Sequence, residues 1–170
     1  MWRIFEMKSR WHHSVFHDLL REGENMLFKM ETNKGFEQVC LDLEKAVVAN
    51  KFGVMAIHNL NETMKKKGVE FSRLCRIFEV CNPLQAKKVL ERNMDLSSFL
   101  PCRISIFMEG DKVFLATLKP TAIVSLFNLP DLKTTAQEVE DTLIKIMREA
   151  SVRPPFDKES LPNSPDGARQ

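Results

Sequence analysis

Glycine is scarce in this chain, six in 170 residues, and none cluster into a phosphate-cradling loop. Four cysteines are too few for a secreted disulfide framework, and none forms the C-x-x-C spacing of a zinc site. No apolar run approaches the ~20 residues of a membrane helix, so no membrane association is expected. The N-terminus lacks the unbroken apolar stretch and small-residue cleavage site of a signal peptide. These absences point to a cytoplasmic protein. Neither sign of charge dominates: the formal net charge is +2, and the one basic run, Lys65-Lys66-Lys67, reads as a solvated turn. Without a basic stripe, no nucleic-acid partner is expected. A nucleophile elbow is missing, as is any serine, histidine and acid arrangement. No cofactor motif stands out.

What remains is globular composition, 44% apolar and 28% charged, at a length suited to one domain. Residues 1–25 read as an N-terminal extension, with a helix expected over Ser14 to Arg21 and Met26 as a possible start. Its His13 and His17 have the i, i+4 spacing of a helical metal pair, but no third ligand accompanies them. Met26 opens a strand. Thr32-Asn33 is expected to cap a helix on which Phe36, Val39, Cys40, Leu43 and Val47 recur at helical spacing. A strand follows over Phe52 to His58. Asn61 is expected to cap a short helix ended by Gly68. Arg73 to Val80 alternates as a strand, with Leu74, Arg76, Phe78 and Val80 on one face and Cys75, Ile77, Glu79 and Cys81 on the other. Asn82 then caps a helix with Pro83 at its first position.

Cys102 to Met108 and Lys112 to Leu118 form a hairpin about Glu109-Gly110-Asp111. The final helix spans about Asp131 to Ala150, and the proline-rich residues 151–170 read as a disordered tail. This order, with its tight hairpin, predicts an α+β domain over residues 26–150, a two-layer antiparallel sheet with helices packed on one face.

Two motifs carry the candidate chemistry, Cys81-Asn82-Pro83 and Leu100-Pro101-Cys102. Cys81 precedes a helix N-terminus, whose partial positive charge favours thiolate, and Arg76 is a candidate to add to it. Cys102 begins the next long strand. If the two strands run antiparallel side by side, the sulfurs converge; if parallel, they part.

At these residues the chain resembles a known family, domain of unknown function 302, over about residues 26–150. The resemblance rests on Gly35-Phe36-Glu37, Lys51-Phe52-Gly53-Val54, Gly68-Val69-Glu70-Phe71, Arg76-Ile77-Phe78, both cysteine motifs and Leu129-Pro130-Asp131-Leu132, in that order. It implies a compact α+β domain assembled as a homodimer, and no established activity. Glu79 stands where relatives usually carry glycine, and Lys119-Pro120 replaces a commoner aspartate-proline.

Two function classes follow. In the first, Cys81 and Cys102 are a thiol pair for redox or transient metal chemistry. In the second, a non-catalytic module binds a small molecule or a protein, with Arg76, Asn82, Pro83 and Pro101 as its binding residues and the cysteines purely structural.

Overall fold

The computed structural model describes residues 26–152. The expected helix over Ser14 to Arg21, the His13 and His17 pair and nearly all of the C-terminal tail lie outside them. In chain order the elements are β1 (Leu27–Thr32), α1 (Phe36–Ala49), β2 (Gly53–Asn59), α2 (Leu60–Lys66), β3 (Cys75–Cys81) and α3 (Pro83–Arg92). A 3-10 turn (Met94–Phe99) leads to β4 (Cys102–Glu109), β5 (Lys112–Leu118) and α4 (Pro120–Leu126). A second 3-10 turn (Pro130–Leu132) leads into α5 (Lys133–Ser151).

The five strands form one sheet in the order β1-β5-β4-β3-β2, every neighbour antiparallel. Alternation decides its two faces. Phe78 and Val80 of β3, Ile104 and Ile106 of β4 and Leu115 of β5 all have 0% exposure. They pack beneath Val39, Leu43 and Val47 of α1 and Leu143, Ile146 and Met147 of α5. Each such side chain contributes roughly 1.5–3 kcal/mol by leaving water. The opposite face carries Lys29, Glu31, Glu79, Arg103, Glu109 and Lys112, joined by ion pairs across the strands. The fold is therefore the expected α+β sheet with its helices on one face.

Local capping explains where the helices start, and in two places it differs from the sequence reading. Thr32 does not cap α1, because it is still the last residue of β1, paired with Val113. The N-cap is Gly35, with no side-chain hydrogen bond. Asn59, not Asn61, caps α2, its Oδ1 accepting from Glu62 N at 3.2 Å. Asn61 lies within the first turn and works across space. Its Nδ2 donates to the carbonyls of Phe71 and Arg73, and its Oδ1 accepts from Cys75 N at 2.8 Å. It thereby pins the loop into β3. Gly110 closes the β4–β5 hairpin at φ 57°, a backbone region open to glycine at little cost.

The end of α5 is tied down by the β1–α1 connection. Lys34 is buried, and its Nζ donates to Asp42 Oδ2 at 2.7 Å and to the Ala150 carbonyl at 2.9 Å. Thr32 Oγ1 donates to the Ser151 carbonyl at 3.0 Å. Two carbonyls that the helix leaves open are thus satisfied from another element. The Asp42 carboxyl is held below its usual range, first by the hydrogen bond from Lys34.

Lys34→Met keeps the buried stem and removes the ammonium. It is expected to lower stability by about 2 kcal/mol, the scale of a buried hydrogen bond to a charged group, read from the urea midpoint. Because the folded Asp42 pKa is depressed, its contribution is present above the unfolded value of about 3.9 and lost as pH falls through the lower folded value. The gap between variant and native protein should therefore narrow in acid. A gap independent of pH would place the effect elsewhere.

Candidate functional site

Both cysteine motifs come to the same end of the sheet. β3 finishes at Cys81, the chain turns through Asn82-Pro83 into α3, and it returns through a cis Leu100–Pro101 bond into Cys102 of β4. Of the two arrangements the sequence left open, the strands take the antiparallel one, with Val80 opposite Cys102. Asn82 holds this corner. Its Oδ1 accepts from Leu84 N and Gln85 N at 3.0 and 3.2 Å, and its Nδ2 donates to the Lys51 carbonyl at 3.1 Å.

Above the sheet end, α3, the Met94–Phe99 turn, α4 and the start of α5 build a second apolar cluster around Leu96, Val124, Leu132 and Ala136. Phe99 and Phe127 meet edge to face there, their ring centroids 5.5 Å apart. Glu140, buried on α5, receives hydrogen bonds from the backbone and hydroxyl of Thr121, which anchors the start of α4.

Between this cluster and the sheet end, reaching round to the outer face at Leu27, Ser105, Ala116 and Leu118, lies a cavity of about 310 Å³, near the lower bound of ligand sites. Val80, Cys81, Ala86, Val89, Pro101, Cys102, Ile123, Ala136 and Val139 are among its apolar walls, with Asn82, Gln85, Ser98, Thr117 and Thr135 as polar members. Among the described residues, Arg103 is the one charged residue in the lining. The Gln85 amide donates to Glu138 Oε2 at 3.1 Å, while its Oε1 is buried without a partner.

The structure brings Cys81, Asn82, Pro101 and Cys102 together around this cavity and leaves two expected residues out. Pro83 is exposed and serves only to begin α3. Arg76 is placed at the far end of β3, on the face opposite Cys81. Its guanidinium grips Glu37 with both nitrogens, at 2.6 and 2.9 Å, and lies 5.3 Å from the centre of the Phe36 ring. The thiol it acts on is that of buried Cys40, not Cys81 or Cys102.

The expectation of a Cys81 thiolate is also corrected. The N–H groups at the start of α3 are already taken by Asn82, and burial pushes the Cys81 thiol up, not down. Cys102 is pushed up to about 11, first by burial and then by the neighbouring charge of Cys81. Since Val80 faces Cys102, alternation puts Cys102 on the inner face, against the core, and Cys81 on the outer. Placement on different faces of adjacent strands does not favour a bridge between them. Glu79 sits on the outer face with its Oε1 3.3 Å from His58 Nε2 and 3.4 Å from Arg103 Nε.

Sequence reasoning missed Gln85, Arg103 and Ala136. Arg103 directly follows the second cysteine motif, so its place near the site was open to inference. Gln85 carried no local signal, and Ala136 was legible only as part of the inward stripe of the last helix, since an alanine there marks space only once the opposing wall is known.

Alkylation of the folded protein should reflect the burial. Cys81 labelling is expected to keep rising above the ordinary thiol value of about 8.5, and Cys102 to stay unlabelled until unfolding. Peptide mass spectrometry reads both. Rapid Cys81 labelling at neutral pH, or an oxidised Cys81–Cys102 bridge, would reinstate thiol chemistry.

Comparison with known proteins places this geometry. No curated protein matches the chain. A solved structure does, described as the crystal structure of uncharacterized conserved protein DUF302 from Bacillus stearothermophilus. It shares 30% identity and a TM-score of 0.70, over 74% of this chain and 98% of that one. The family described as Domain of unknown function DUF302 matches residues 28–150. Over the whole sheet and the helices that cover it, this chain belongs to the DUF302 family.

Proposed function

We propose that the domain is a non-catalytic binding module, and that a small, mainly apolar molecule occupies the cavity at the end of its sheet. The observation that carries this reading is the cavity itself, about 310 Å³ walled largely by apolar side chains from β3, β4 and four helical segments. A concave space with mainly apolar walls and a few polar groups is the usual form of a small-molecule site. The raised thiols favour this reading over redox chemistry, since the reactive form is the thiolate. Cys81 and Cys102 then act as wall, with Asn82 and Pro101 shaping the corner.

The reading includes a homodimer in a reducing, cytoplasmic setting. Among the described residues no layer covers the outer sheet face, where Phe107 and Phe114 stack 5.9 Å apart and Lys29 lies over both rings. The ion pairs Lys29–Glu109 and Lys112–Glu31 offer both signs on one patch, as a two-fold contact between identical surfaces requires. The aromatic half of that face lies at the opposite end of the strands from Cys81, so pairing there leaves the cavity open.

The neutral fluorescent amine N-phenyl-1-naphthylamine should bind saturably to the full chain, and Ala86→Phe, which fills the cavity, should abolish that signal. The variant should melt no lower than the native protein if the added ring fits. Unsaturable or absent binding to the native chain would sink the reading. Light scattering is expected to give the mass of two chains throughout a dilution series, and a monomer would remove the dimer from it.

A further inference from the structure

We infer that the ligand is an amphipathic monocarboxylate, its apolar body held between α3, α4 and α5 and its carboxylate on Arg103. This rests on the reading of the cavity as a binding site. The charge of the lining decides the class. No aspartate or glutamate among the described residues lines the cavity, and Arg103 is its single cation. A cationic head would find no carboxylate in the lining, and a doubly charged anionic head would find one partner for two charges.

The position of Arg103 decides the orientation. Its side chain is 57% exposed, while Cys102, the preceding residue, packs against the core. Arg103 belongs to the lining and its side chain faces solvent, so it marks the outer side of the cavity, with the apolar walls within. Its Nε donates to Glu79 at 3.4 Å, and no other hydrogen bond from its side chain runs to a described residue. That leaves the two Nη groups, the edge that receives a carboxylate in paired hydrogen bonds. Glu79 competes weakly for this edge, because the same Oε1 also faces His58 Nε2 at 3.3 Å. Leu27 and Leu118, paired across β1 and β5, continue the apolar wall beside the mouth on the outer face.

Calorimetric titration of the full chain with decanoate, decanol and decylamine tests the inference. Decanoate should bind about ten-fold tighter than decanol, and decylamine weakest, a ten-fold step being about 1.4 kcal/mol. Arg103→Gln should lower decanoate affinity by about the same factor and leave decanol unchanged, with Arg103→Lys falling between them. Acetate, which has the head and no body, should not displace decanoate. Equal binding of decanoate and decanol, or an Arg103→Gln variant that holds decanoate as well as the native chain, would overturn the inference while leaving the cavity a binding site. Displacement by acetate would overturn it too, by reducing the site to a surface cation. If neither decanoate nor decanol binds, both the inference and the reading beneath it fall.

Discussion

Everything in this domain follows from the burial of one sheet face. Phe78, Val80, Ile104 and Ile106 sit side by side on the two central strands at 0% exposure, beneath α1 and α5. Because side chains alternate, sliding β3 by one residue against β4 would bring Ile77, Glu79 and Cys81 under the helices and turn this core outward. A single register survives, and it sets Val80 against Cys102. From that pairing come the placement of the two prolyl motifs at one sheet end, the assignment of the two cysteines to different sheet faces and the space the third helix must span.

Polar groups then act at the places where helices end. Asn82 satisfies the first donors of α3, Glu140 those of α4, and Lys34 an open carbonyl of α5. Each is supported from outside the helix it serves, except the local cap at Asn82. Such contacts add modest net free energy, yet an unpaired buried carbonyl or N–H costs more than the bond contributes, so they select one arrangement of helices over others. The cavity depends on two of them. Glu140 holds α4 as one wall, and Asn82 fixes the direction of α3 as another.

What was legible in the sequence was local. The Asn82-Pro83 start, the Gly110 hairpin, the α1 and α5 stripes and the alternation of β3 all follow from interactions within a few residues, and each stands where it was expected. Asn61 was misread because it and Asn59 both satisfy the chemistry of a cap. Only the distant carbonyls of Phe71 and Arg73 distinguish them. Arg76 was misassigned for the same reason, its partner Glu37 being 39 residues away. The meeting of the cysteine motifs waited on strand direction, which no short-range pattern encodes. The cavity was less legible still, since empty space is a property of several elements jointly and of no residue.

The tie between Thr32 and Ser151 has a mechanical meaning. The chain enters the domain at one end of β1, next to Lys119, and leaves beside the other end, at the close of α5. Tension applied through the flanking segments would run along β1 and load its ladder to β5 in parallel. The bonds from Leu27 to Thr32 would have to fail together, where a tug from a single end would peel them one by one. For a force along this axis, an edge strand loaded in this way resists as a unit.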